Sequence, residues 1–238
     1  YNYFSEQFRY VKEIPNDKKI VIEYYRDEKK LYVTFHSLYG RRVNDVLSRV
    51  LGYAIGRIHH RDVELGISDN GFYLSSEKEI QVTRAISLIK SSELREIAKM
   101  AIEKSEILKR RFRHCATRAL MILRQYKGKK KAVGRQQVSS MILMSAVRRI
   151  DENFFILKEA RREVLEDLMD IENAELIFKK IENKDISLKE IHTSIPSPFA
   201  FNLVLEGQSD VLKIEEKMEF LRRMHEKVLV KIGKSEVI

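Results

Sequence analysis

The chain has one cysteine, three prolines, nine glycines and no tryptophan in 238 residues. A single thiol, Cys115, excludes an internal disulfide and any zinc site built on paired cysteines. No HExxH, no G-x-S-x-G and no G-x-x-x-x-G-K-[ST] is present, and these are the patterns that zinc hydrolysis, serine acyl transfer and phosphate cradling require. Gly128 and Gly134 bracket three lysines, but the spacing is one residue too long for a phosphate loop, and Arg135-Gln136 follow. The six histidines show no ligand spacing. Carboxylates such as Glu159, Glu163 and Glu166 read as exposed helix-face residues, so no active site can be assembled. No catalytic residue, metal or cofactor is expected in this chain. No apolar run reaches bilayer length, and the opening YNYFSEQFRY lacks the apolar core of a signal peptide. With the lone cysteine, this points to a reducing, cytoplasmic setting without a membrane partner.

A second scarcity is local. From Ile107 to Ile150 there is neither Asp nor Glu, while thirteen Lys and Arg lie between Lys109 and Arg149. The whole chain carries +10 and this stretch contributes +13, so the remainder sums to −3. The basic excess is therefore a patch, the electrostatic footprint of a polyanion binder. At 100° per residue, Leu108, Cys115, Ala116, Ala119 and Leu123 fall within about 60° of Phe112. Arg110, Arg113, His114, Thr117, Arg118 and Arg124 fall on the other side. This predicts an amphipathic helix of roughly 27 Å with a basic stripe, and Arg111 adds to its charge. Gly128 and Gly134 are expected to stop it and leave Lys127, Lys129, Lys130 and Lys131 on an exposed loop. Cys115, on the apolar face, reads as a small core residue.

The remaining chain supplies a sheet and more helices. Residues 1–17 read as a lead-in segment closed by Pro15-Asn16-Asp17. Lys18–Tyr25 and Leu31–Ser37 are rich in β-branched and aromatic residues and form one strand pair. A helix with Val43, Val46, Leu47, Val50, Leu51, Ala54, Ile55 and Ile58 on one face follows. Asp62–Ser68 and Phe72–Ser75 form a second pair around Asn70-Gly71, whose positive-φ tolerance suits a hairpin. From about residue 79 to 182 the pattern is helical. Val138, Met141, Ile142 and Ser145 are expected inward on one helix, and Leu157, Ala160, Val164, Leu165 and Leu168 on the next. Met121, Met141 and Met144 read as core filler. Ile186–Thr193 alternates as a strand and returns to the sheet. Pro196-Ser197-Pro198 is a stiff segment that either plugs Phe199 and Phe201 into the core or offers Phe199 as a base-stacking ledge. A helix from Asp210 to about Val230 closes the chain, with Val211, Ile214, Met218, Leu221 and Val228 inward.

Six blocks in order carry a family resemblance: FHSLYGRRVND (Phe35–Asp45), DNGFYL (Asp69–Leu74), LKRRFRHCATRALMIL (Leu108–Leu123), RQQ (Arg135–Gln137), FFILKEARREVLEDLMDIENA (Phe154–Ala174) and PSPFAFNLVLEG (Pro196–Gly207). Together they resemble the region that follows the winged helix in large helicase-related (Lhr) helicases, the DEAD/H-associated region. The resemblance covers nearly everything from Lys18. It implies a parent that is a superfamily 2, ATP- and Mg-dependent, 3′-to-5′ translocase acting on duplexes and RNA–DNA hybrids in nucleic-acid repair. The ATP site of such a parent lies in two RecA-like domains. In this picture the chain helps to close the strand-tracking channel beside those domains and the winged helix. Bacterial members carry Trp just before the QQ pair, where this chain has Arg135.

The expected fold is α+β: a largely antiparallel sheet built from two strand pairs and a late returning strand, packed with a helical subdomain (about 79–182) inside a DEAD/H-associated domain spanning 18–238. The expected role is a nucleic-acid-binding accessory domain for single-stranded, duplex or hybrid substrates. Its contacts are Arg110, Arg111, Arg113, Arg118, Arg124, Lys127, Lys129, Lys130, Lys131, Arg135, Gln136 and Phe199. The competing readings are a stand-alone nuclease or glycosylase, which needs carboxylates beside the basic helix, and a scaffold for an acidic protein.

Overall fold

A computed structural model describes residues 2–27, 30–60, 62–130, 132–207 and 214–233. In chain order the elements are α1 (Asn2–Val11), β1 (Lys19–Arg26), β2 (Leu31–His36), α2 (Arg41–His59), β3 (Glu64–Ser68), β4 (Gly71–Ser76), α3 (Val82–Leu88), α4 (Leu94–Ile102), α5 (Glu106–Arg118), β5 (Gln125–Tyr126), β6 (Lys129–Lys130), α6 (Val133–Ile150), α7 (Phe155–Arg162), α8 (Ile171–Glu182), β7 (Ser187–Thr193), α9 (Phe201–Gly207) and α10 (Ile214–Lys231). A π-helical stretch, Glu163–Leu168, continues α7. The chain divides into two compact units, residues 1–94 with 173–238, and residues 95–172.

The first unit holds a five-stranded sheet in the order β3-β4-β2-β1-β7. Three pairings are antiparallel, and β7 joins β1 in parallel. Parallel strands need a long connection, and here the whole second unit intervenes. α2 packs on β3 and β4, and α9 packs on β2, β3 and β4. These helices cover opposite faces. Leu203 of α9 meets Tyr32 and Tyr73, whereas a Cβ on Gly52 of α2 would stand 2.8 Å from Leu65, the register partner of Leu74. Adjacent residues of a strand point to opposite faces, so Tyr73 and Leu74 face different helices. That is why β2 and β4 are buried at every position.

Local details depart from the sequence expectations for identifiable reasons. The lead-in segment is largely helix α1. Its Gln7 accepts from the Phe199 amide at 3.0 Å, and its Tyr10 hydroxyl donates to the Ile195 carbonyl at 2.9 Å. The β3–β4 turn is Asp69-Asn70, since Ser68 pairs with Gly71, and neither turn residue takes positive φ. Gly71 is required instead by close approach: a Cβ there would lie 2.2 Å from the Phe35 carbonyl oxygen. Asn44 fixes the same corner, donating to the carbonyls of Ser37, Ser68 and Asp69. In α10, Phe220, Met224 and Val228 turn inward while Met218 is exposed; Asp210 and Val211 lie outside the described residues. Lys12, His60, Leu120 and Lys184 take the left-handed conformation at helix ends, as Gly233 does after α10.

One carboxylate ties the sheet to the segment after it. Glu23 of β1 is fully buried. It lies 2.9 Å from His36 Nε2 of β2 and accepts from Thr193 Oγ1 of β7 at 2.9 Å, from the Ser197 amide at 2.7 Å and from Ser197 Oγ at 2.6 Å. Burial alone pushes its carboxyl up, but the hydrogen bond and charge of His36 and the two Ser197 donors outweigh it and hold the group below the ordinary carboxylate value. Because the folded-state value lies below the unfolded one, this stability is present at neutral pH and is lost as pH falls through the folded-state value. Glu23→Ala strands four donors in the core and should cost about 3–5 kcal/mol. Denaturant unfolding of both proteins from pH 7 downward checks this: the gap should close in acid, and a pH-independent gap would refute the ionic account.

Candidate nucleic-acid interface

The second unit carries the acid-free stretch. α5 begins at Ser105, whose hydroxyl accepts from the Leu108 amide, a side-chain N-cap. Leu108, Phe112, Cys115 and Ala116 are buried, as the periodicity predicts. Burial raises the Cys115 thiol above its ordinary value, and the Glu163 charge adds to the rise. The helix stops at Arg118, earlier than expected. Leu120 turns left-handed, its amide donates to the Thr117 carbonyl at 3.1 Å, and the Met121 amide reaches back to the Ala116 carbonyl at 2.9 Å. This is a Schellman closure with leucine where glycine is usual. Arg124 therefore lies beyond the helix. Met121 and Leu123 are exposed, and Ile122 is the buried residue of this turn.

The lysine loop is a two-stranded hairpin. Gln125 pairs with Lys130 and Tyr126 with Lys129. Lys127 (φ 46°) and Gly128 (φ 75°) form the turn, the double positive φ of a I′ hairpin. Lys129 and Lys130 are exposed, and Lys131 lies outside the described residues. Gly134 is helical, near the start of α6, whose N-terminus has no side-chain cap. Uncapped amides at a helix N-terminus favour anions. Arg135 is exposed and Gln136 half-buried in the opening turns of α6.

α6 buries Ser140, Met144 and Val147, and leaves Val138, Met141 and Ile142 exposed. This reverses the expected face. The reason is ionic: Arg148, on the buried side, donates to the Glu103 carbonyl at 2.8 Å and to its carboxylate at 2.9 Å, and Arg161 binds the same carboxylate.

The basic residues divide into two groups. Glu163, in the π-helical stretch, is buried rather than exposed. It pairs with Arg118 and, at 3.5 Å, with Arg111. Lys109 pairs with Glu106 at 2.6 Å. By contrast, Arg110, Arg113, Arg124, Lys129, Lys130 and Arg135 have no hydrogen-bonded or ionic side-chain partner among the described residues. His114 lies among arginines of both groups. Partial burial and then the charges of Arg113, Arg111, Arg124 and Arg118 hold its imidazole below the ordinary value. Arg124, though off the helix, therefore stands close enough to join the stripe. Phe199 lies in the first unit and is packed rather than free. Its ring centroid is 4.8 Å from Tyr3 and 5.3 Å from Phe4. Sequence reasoning missed buried Glu163 and half-buried Glu103 as the anions that pair these arginines; Glu163 falls three residues after inward Ala160, and that spacing was the available signal.

Comparison with known proteins gives consistent results. Residues 14–200 match the family model described as DEAD/H associated. The chain is 50% identical over 233 residues to the ATP-dependent helicase Lhr-Core of Methanothermobacter thermautotrophicus, covering 98% of this chain and 27% of that protein. It is 40% identical over 234 residues to the ATP-dependent helicase Lhr-Core of Sulfolobus acidocaldarius, covering 96% and 27%. The structure of Mycobacterium smegmatis helicase Lhr bound to ssDNA and AMP-PNP matches with a TM-score of 0.77 at 28% identity, over 85% of this chain and 26% of that one. The chain thus spans about a quarter of the length of the relatives it matches.

The two groups of cations separate experimentally. Arg118→Ala removes a partner of buried Glu163 and should lower the melting temperature. Arg113→Ala should leave melting unchanged and weaken binding of a single-stranded oligonucleotide. Lys129→Ala with Lys130→Ala should flatten the plot of log affinity against log salt by about 1.4 units, at about 0.7 per phosphate contact. A salt titration with parallel melting curves is the measurement. An unchanged slope removes the hairpin from the interface.

Proposed function

We propose that this chain, which belongs to the DEAD/H-associated family, is the strand-binding accessory part of an ATP-dependent helicase of the Lhr type. The observation that carries the reading is the set of cations on and beside α5, Arg110, Arg113 and Arg124, that have no side-chain partner among the described residues; burial first, and then the charges of Arg113 and Arg124 together with those of Arg111 and Arg118, lower His114 beside them. Free guanidinium groups on a helix whose other face is buried present phosphate donors at fixed spacing. The flanking hairpin and the uncapped start of α6 extend that cationic surface. Lhr-Core relatives are named as ATP-dependent helicases, and the solved relative was captured with ssDNA. Translocation in the 3′-to-5′ sense, a place in the wall of the strand channel, action on RNA as well as DNA, and RecA-like and winged-helix neighbours on the same polypeptide belong to this proposal.

ATP and magnesium fit the parent rather than these residues. Gly128 is the turn of a hairpin and Gly134 lies in a helix, so the glycines that flank the lysines do not form a phosphate cradle. What this chain's own residues do is bind and orient. Arg110, Arg113 and Arg124 hold phosphates, Lys129 and Lys130 add charge from the hairpin, and Arg135 offers a planar cation in the opening turns of α6. Such contacts fix register without reading sequence.

Two scrambled single-stranded oligonucleotides of equal length should bind within a few-fold of each other. A difference beyond about a hundredfold, roughly 3 kcal/mol, requires direct base readout and would overturn a phosphate-led interface. The same titration tests the field at His114. A bound polyanion offsets the arginine charges, so the His114 pKa should rise on binding, and affinity should increase as pH falls through the histidine range. NMR titration of the His114 ring with and without oligonucleotide measures the shift. An unmoved pKa places the strand elsewhere.

A further inference from the structure

β7 is an outer strand: β1 lies on one side and, among the described residues, no strand lies on the other. Tyr24 and His192 are register partners across β1 and β7. Their rings stack at 4.7 Å and 18°. Tyr24 is half-buried and His192 exposed, so the stack ends at the sheet edge with imidazole as its outer member. The Tyr24 hydroxyl donates to Glu190 Oε1 at 2.8 Å, and Thr83 Oγ1 of α3 donates to the same oxygen. Burial and then the Glu190 hydrogen bond hold the Tyr24 phenol protonated, above its ordinary value. Glu190 Oε2 keeps a free acceptor among the described residues.

These groups line a cleft of about 590 Å³ whose walls include Arg26, Glu79 and Arg84. Two cations face two carboxylates there, so the cleft is electrically balanced. A second hollow of about 620 Å³ shares His192 and Thr193 and is lined by Arg9 and Lys231, with no carboxylate among its lining residues. A neutral cleft with an exposed ring and a spare acceptor suits a nucleobase, and an adjoining cationic hollow suits phosphate. Both volumes lie in the range of small-molecule sites.

We propose that the β7 edge holds one nucleotide unit of a single strand, with its base stacked on His192, a base N–H donating to Glu190 Oε2, and its phosphate against Arg9 and Lys231. This deepens the strand-binding reading, on which it rests, by giving the sheet unit a base contact of its own. Every base carries an amino or imino N–H, so the contact is tolerant of sequence.

The test uses the 238-residue chain, (dA)12 and adenosine monophosphate. Titration of the parent with (dA)12 should move the His192 ring protons upfield, a readout that needs no variant. Stacking on an aromatic ring is worth about 1–3 kcal/mol per base, so His192→Ala should weaken (dA)12 binding by about 5- to 150-fold. His192→Phe should retain it. Arg9→Ala with Lys231→Ala should weaken binding and flatten its salt dependence. If (dA)12 binds the parent, Arg113→Ala weakens it and His192→Ala does not, with His192 signals unmoved, the β7 site is overturned and the strand-binding reading stands. If (dA)12 fails to bind but adenosine monophosphate shifts His192 and His192→Ala abolishes the effect on the other cleft residues, the site stands and the wider reading falls. If (dA)12 does not bind and neither probe moves His192, both are overturned.

Discussion

The buried Glu23 carboxylate is the constraint on which the first unit depends. A carboxylate removed from water must be matched by donors placed to meet it, and here the acid on β1 meets donors from three separate points of the chain: β2 brings His36, β7 brings Thr193, and the following turn brings Ser197. Strand order, the parallel docking of β7 and the position of the Pro196–Pro198 turn are thereby tied to one another. Helix α1 then closes over that turn through Gln7 and Tyr10, and the aromatic packing of Tyr3 and Phe4 on Phe199 follows from it. An all-apolar junction of equal volume would bury surface equally well but would not select among registers.

The second unit solves the opposite problem. It must gather cations without the repulsion unfolding it, and it does so by importing acids from outside the acid-free stretch. Glu163 takes up Arg111 and Arg118, and Glu103 takes up Arg148 together with Arg161. These pairs anchor the helices around α5, while Arg110, Arg113 and Arg124 have no side-chain partner among the described residues. Net charge along the sequence therefore overstates the charge on offer, since part of it is spent inside. The π-helical stretch sits where Glu163 must turn toward α5, and the wider turn alters the direction in which its side chain leaves the helix.

Much of this was legible in the residues and some was not, for reasons that can be named. The strand pairs and α2 followed from β-branched alternation and from the 3.6-residue repeat of Val43 to Ile55, because burial on known faces governs both. The end of α5 was not legible: the Schellman turn is built on Leu120, and a left-handed leucine leaves no mark of the kind that glycine does. With nine glycines in the chain, four left-handed helix ends fall to Lys12, His60, Leu120 and Lys184 and one to Gly233, so glycine alone does not mark where helices stop. Gly128 was recognised as a breaker but assigned to a helix stop, whereas with Lys127 it makes a hairpin turn. The inward face of α6 was misjudged because apolar count favoured Val138, Met141 and Ile142, while the deciding contact was Arg148 with Glu103. The basic stripe was found as a charge pattern, yet its division into paired and unpaired cations depends on acids distant in sequence. The Tyr24–His192 stack joins strands far apart in the chain and left no local signature.

The arrival of β7 from beyond the second unit has a consequence in time. Glu23 and Thr193 are 170 residues apart in sequence, and a chain made at about 5–20 residues per second needs on the order of ten to thirty seconds to cross that interval. Throughout it, β1 has its β2 partner but an open outer edge, and the Glu23 carboxylate has His36 but none of its later donors. Contacts of such long separation close slowly, because loop entropy must be overcome before they reward the chain. The second unit, made of local helical contacts, can form in that interval without waiting for the sheet. The nascent first unit is thus a partial sheet with a charged group at its seam, which discourages premature pairing of the β1 edge with another chain until the chain's own strand emerges.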